Sequence, residues 1–149
     1  MAGGKQLLSP RLRKVLEDMA ERIIPSGGPE YPGAREFNLP DKVIAMFQAF
    51  SGGMMALRGV LWAWELLPLF FFKFRTFSGL APEAQVKFLE GWEKSGFFLR
   101  RAALTGLRAM FMAPFYGDPE VHKKIGYADG CLQPLERVVP PWSPEETGR

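Results

Sequence analysis

A single histidine, His122, and a single cysteine, Cys131, are all the imidazole and thiol that this 149-residue chain offers. One cysteine leaves no internal disulfide, no CxxC redox pair, no cysteine-rich zinc site and no CxxCH haem attachment. One histidine leaves no His pair for a metal and no Ser–His triad with a spare ligand. His122 stands in Pro119-Glu120-Val121-His122-Lys123-Lys124, a polar helical turn, and reads as a surface residue. Carboxylates do recur at helical spacing, as in Glu17 with Glu21 and Glu90 with Glu93. On amphipathic helices such pairs belong to the solvated face, and no second catalytic group stands near them. Gly27-Gly28 and Gly52-Gly53 interrupt the chain without making GxGxxG after a strand or GxxxxGK[ST], so no nucleotide cradle is indicated. The sequence therefore assigns no catalytic, cofactor-binding or metal-binding residue.

Charge excludes a further class. Nineteen Lys and Arg against sixteen Asp and Glu leave +3 at pH 7. The cations are interspersed with acids and never form a block of five, unlike the concentrated basic face of a nucleic-acid binder. Aromatic residues make up 13 % of the chain and gather between Phe47 and Tyr116. That calls for either a bulky core or an apolar docking face.

The elements that must carry these residues read as helices throughout. Ser9-Pro10 supplies an N-cap hydroxyl and a proline at the first helical position, and Leu12, Val15, Leu16, Met19 and Ile23 follow at helical spacing. Pro25 to Pro40 is a Gly/Pro-rich loop. Pro40-Asp41 opens a second helix that ends near Ser51-Gly52-Gly53. A third runs from Met54 to Leu67, with Pro68 kinking or ending it. Ala81-Pro82-Glu83 opens a fourth, with Glu83–Lys87 and Glu90–Lys94 pairs outside and Val86, Phe88, Leu89 and Trp92 inside. The fifth, Gly96 to Met112, has only Arg101, Thr105 and Arg108 as a polar stripe, so it is expected to be the central, mostly buried helix. Asp118-Pro119 caps a short sixth that closes at Gly126. The expectation is an all-α fold: an irregular bundle of five to six helices with a Gly/Pro-rich loop after the first helix. Its divisions are a flexible N-terminus over 1–8, a helical domain over 9–130 and an extended, Pro-rich C-terminal tail over 131–149.

Met54 to Phe72 is nearly long enough to span a bilayer, but Arg58, Glu65 and Pro68 interrupt it. Each central charge costs roughly 2.5–3.5 kcal/mol on insertion, which disfavours spanning. Arg58 and Glu65 lie seven apart, on one helix face, as expected for a water-exposed or ion-paired stripe. The rings from Trp62 to Phe77 are too many for the inner face of one helix, so some should be exposed and form a docking patch. Size and context select Trp62, Trp64, Phe70, Phe71 and Tyr116 as partner-interface residues. The competing reading is a peripheral membrane module whose aromatic segment dips into the bilayer interface while Lys73 and Arg75 meet headgroups.

Several short motifs, in order, add a resemblance. They are Ile23-Ile24-Pro25, Pro32-Gly33-Ala34, Phe77 with Leu80, and Phe88-Leu89 with Trp92 and Ser95. Arg100-Arg101, Phe115-Tyr116-Gly117-Asp118-Pro119 and Ile125-Gly126-Tyr127 follow. Together they span roughly Ser9 to Tyr127 and resemble the small-subunit family typified by gluconate 2-dehydrogenase subunit 3. The resemblance implies a helical, non-catalytic companion that stabilises, matures or exports a large FAD-dependent dehydrogenase of the glucose–methanol–choline (GMC) type. The flavin would sit in that large subunit and any haem in a separate cytochrome, leaving this chain with no cofactor of its own. The greasy Trp62-to-Phe77 region would then face the flavoprotein, near the entrance for an apolar alcohol or steroid-like substrate. Members of that family commonly carry a twin-arginine leader. Here Leu12 separates Arg11 from Arg13 and the N-terminal stretch shows no apolar h-region, so the expectation is a cytoplasmic complex. A periplasmic location would require co-export with a partner or a leader already removed.

Overall fold

Proline punctuates this chain, and four of the six α-helices among its described residues open on one at their first or second position. The computed structural model describes residues 7–28, 33–71 and 74–126. Among them are α1 (Pro10–Ile23), α2 (Leu39–Gln48), α3 (Gly53–Phe70), a 3-10 turn (Phe77–Gly79), α4 (Pro82–Glu93), α5 (Phe98–Tyr116) and α6 (Pro119–Lys124), and no strand. The protein is an all-α bundle. The expected tail over 131–149 lies outside the described residues, as do Phe72, Lys73 and Tyr127.

The Ser9 hydroxyl accepts from Leu12 N, capping α1. Packing starts two residues before it, because Leu8 is buried and the Leu7 carbonyl accepts two bonds from the Arg58 guanidinium. The loop after α1 closes on itself. Ala34 N donates to Ile24 O, Arg35 N donates to the Ser26 hydroxyl, and Ser26 donates to Glu21. Gly33 lies so close to Ser26 that a Cβ there would sit 2.2 Å from the Ser26 Cα, which explains a glycine at this point.

Contrary to the amphipathic pattern's promise, α5 is not the central helix. That place falls to α1, which touches α2, α3, the 3-10 turn, α4 and α5. Its Val15, Leu16 and Met19 have no exposed surface. α5 buries only Leu104, Leu107, Met110, Phe111 and Phe115 and leaves the rest of its apolar surface open. The helix is thus apolar on both its buried and its exposed side.

Three other details differ from the pattern. α3 continues two residues past Pro68, since a proline in the last turn forfeits one backbone bond and the turn closes from Phe71 N to Pro68 O. In α4 Val86 faces outward, and Gln85 takes the buried position instead. Its amide donates to Phe77 O and Asp18 while accepting from Arg22, so the buried polar group is satisfied. Of the two pairs expected on that helix, Glu90–Lys94 forms and Glu83–Lys87 does not.

Glu65, in the middle of α3, has no accessible surface. It pairs with Arg11 (2.9 Å), not with Arg58, and accepts from both the backbone and the hydroxyl of Ser78. Burial pushes its pKa up, but the Ser78, Arg11 and Thr76 donors outweigh that and hold the carboxyl below its usual value.

Candidate partner-docking surface

The five residues chosen from sequence divide sharply. Phe70 is 76 % exposed, Tyr116 53 % and Trp62 41 %. Trp64 is not on the surface: it is buried, and its ring lies 4.9 Å from that of Trp92 on α4. Its assignment to the interface is corrected by position, because Leu57, Leu61, Trp64 and Pro68 line the inner face of α3. Phe71 is half-buried, with the Arg100 guanidinium 4.6 Å above its ring and Trp92 at 5.8 Å edge-on.

The motifs behind the family resemblance mostly serve the fold. Asp118 caps α6 by accepting from Glu120 N and pairs with Lys42 of α2, and these donors hold its carboxyl below the usual range. Phe115 packs edge-on against Phe37, whose ring is flanked by Lys42 and Lys124, each 5.3 Å away. His122, on the same short helix, approaches the Tyr116 carbonyl. Arg101 donates to Ser95 O at the α4–α5 turn. The carboxylate pairs are likewise committed: Glu17 to Arg13, Glu21 to Arg35, Glu90 to Lys94 and Glu93 to Arg108. No group of three His, Cys, Asp or Glu with metal-binding geometry occurs among the described residues.

What the sequence reading missed is a pair of outward stripes of small residues. On α5, Ala102, Gly106, Ala109 and Ala113 follow at i, i+4, i+7 and i+11, and all are exposed. On α3, Ala56, Gly59 and Ala63 follow at i, i+3 and i+7 and are exposed, and the same face continues to Leu66 and Phe70. A Cβ on Gly59 or Gly106 would meet nothing within 4 Å. A glycine inside a helix costs about 0.5–1 kcal/mol relative to alanine, and these two repay nothing within the described fold. Small residues on a helix let another backbone approach closely, and larger apolar groups beside them (Val60 and Trp62 on α3, Met112 and Tyr116 on α5) would seal such a contact. The signal was present in the spacing; it was masked because alanine and glycine count as apolar filler in an amphipathicity reading.

No family model, curated protein or solved structure matches this chain. The surface itself must carry the functional reading.

Those glycines give a direct check. Gly59→Ala and Gly106→Ala are each expected to stabilise the isolated chain by about 0.5–1 kcal/mol in urea unfolding. A loss of stability would mean that the chain's own residues cover the stripes.

Proposed function

We propose that this chain is a non-catalytic small subunit that binds and stabilises a larger protein through the outward faces of α3 and α5. The observation that carries it is the pair of small-residue stripes, each with a helix-interior glycine that the described fold does not require. The resemblance of the ordered motifs between Ser9 and Tyr127 supplies the partner's class, a large FAD-dependent dehydrogenase of the GMC type acting on an alcohol or sugar. In that arrangement the flavin and the chemistry belong to the partner, and this chain contributes buried area and a fixed orientation. Exposed Trp62, beside the α3 stripe, is the ring best placed to anchor the contact.

Co-expression with a GMC-type FAD-dependent dehydrogenase tests the reading. The pair is expected to purify as one complex with flavin absorbance, and the flavoprotein alone is expected to be less soluble or less active. Gly106→Arg should leave the free chain folded, because the added side chain enters open space, yet weaken the complex at least about thirtyfold. A monodisperse free chain that ignores the flavoprotein would refute the partner. A complex untouched by Gly106→Arg would refute the surface.

A further inference from the structure

At the end of the molecule where α3 stops and α5 begins, a second surface of different chemistry adjoins the α3 stripe at Phe70. The Arg100 guanidinium over Phe71 brings these two helix ends together. Around that contact Phe70, Phe74, Phe97, Phe98 and Leu99 are 60–86 % exposed, and all lie at a helix end or in a connection. Phe74 is held in the left-handed region (φ 52°), a backbone conformation that a bulky residue rarely takes, and it is the most exposed of them.

The charges that line the cleft beside these rings are both positive. An open cleft of about 240 Å³ is lined by Phe71, Lys87, Phe88, Gly91, Trp92 and Arg100, two cations and no acid. From residue 71 to residue 101 the chain carries six Lys or Arg and three Glu, an excess equal to that of the whole protein. Glu90 is paired with Lys94 and Glu93 with Arg108. α5 also begins with Arg100 and Arg101 in its first turn and no acid there, so the positive end of its dipole adds to theirs.

We infer that this tip docks on an anionic bilayer surface, its phenylalanines entering the headgroup–acyl boundary and Lys87 and Arg100 meeting lipid phosphates. Exposed rings interleaved with cations are what such an interface recognises, and projecting connections suit a soft surface better than a complementary protein groove. No helix among the described residues is long and apolar enough to cross a membrane, so the contact is one of docking, not spanning. The inference does not rest on the flavoprotein reading: apart from Phe70, where the α3 stripe ends, it uses no residue of either stripe.

Flotation of the full chain with two kinds of vesicle decides it: phosphatidylcholine alone, and phosphatidylcholine with about one-third phosphatidylserine. Binding is expected only to the anionic vesicles and should fall as salt rises. Phe97→Ser with Phe98→Ser, and separately Lys87→Glu, are each expected to weaken partitioning at least about tenfold. All three positions are exposed, so circular dichroism of the variants should be unchanged. Equal binding to both vesicles, no binding to either, or binding that survives both variants would overturn the inference. So would sedimentation showing a dimer that Phe98→Ser dissociates, or a flavoprotein complex that the same substitution breaks. Those last two outcomes would give the tip to a second copy or to the protein partner.

Discussion

Replacing Glu65 with alanine is expected to lower stability by about 3–5 kcal/mol and the melting temperature by roughly 10 °C or more. One carboxylate with no accessible surface joins three elements: Oε1 accepts from Arg11 of α1 at 2.9 Å and from the Ser78 hydroxyl at 2.7 Å, while Oε2 accepts from Ser78 N at 2.9 Å. Arg11 is half exposed and recovers most of its loss from water. The half-buried Ser78 loses the partner of both its backbone N–H and its hydroxyl, and the truncated side chain leaves a void between α1, α3 and the 3-10 turn. The pH dependence follows from the sign of the shift. The folded carboxyl titrates below its ordinary value of 4.5, so the ionised form is the stabilising one. Its contribution is complete above about pH 4.5 and is lost as pH falls through the lower folded value. The gap between wild type and Glu65→Gln in urea unfolding should therefore be widest at neutral pH and narrow as pH falls below about 4.5. A gap that stayed constant with pH would mean that folding does not shift the carboxyl's pKa, and one that widened toward low pH would mean that the carboxyl is protonated in the fold.

Much of the bundle was legible because its boundaries are made of local chemistry. Ser9-Pro10, Ala81-Pro82 and Asp118-Pro119 each start a helix where a proline at the first position predicts one. The role of Glu65 was half legible: spacing put it on one face with Arg58, but its partner lies 54 residues away in α1 and no local pattern names it. Trp64 went wrong for a similar reason. Trp62 and Trp64 are two residues apart, and helical geometry turns them to different faces; size alone cannot say which is inward. α5 misled most. Its narrow polar stripe indicates that apolar surface must be covered, but not whether the cover is this chain, another protein or a bilayer. The structure divides that surface between small residues along the helix and rings at its start.

Gly53→Ala is expected to cost about 3 kcal/mol, while the same change six residues further along α3, at Gly59, stabilises. A Cβ on Gly53 would lie 1.9 Å from the carbonyl oxygen of Phe47 and 2.9 Å from its carbonyl carbon. Both atoms are backbone in the last turn of α2, so no rotamer change relieves the clash and the α2–α3 turn must open. Opening it loosens α2 from α3, and α2 is also the helix most extensively packed on α5. At Gly59 the added methyl meets nothing, and only the gain in helix propensity remains. The two variants should separate equally in function. Gly53→Ala should weaken partner docking together with stability, because α2 sets the placement of the α3 stripe against that of α5. Gly59→Ala should weaken docking while the free chain becomes more stable. Urea unfolding and complex yield, measured on both, distinguish these outcomes. A Gly53→Ala chain as stable as wild type would show that the turn yields freely, and α2 could not then fix the docking surface.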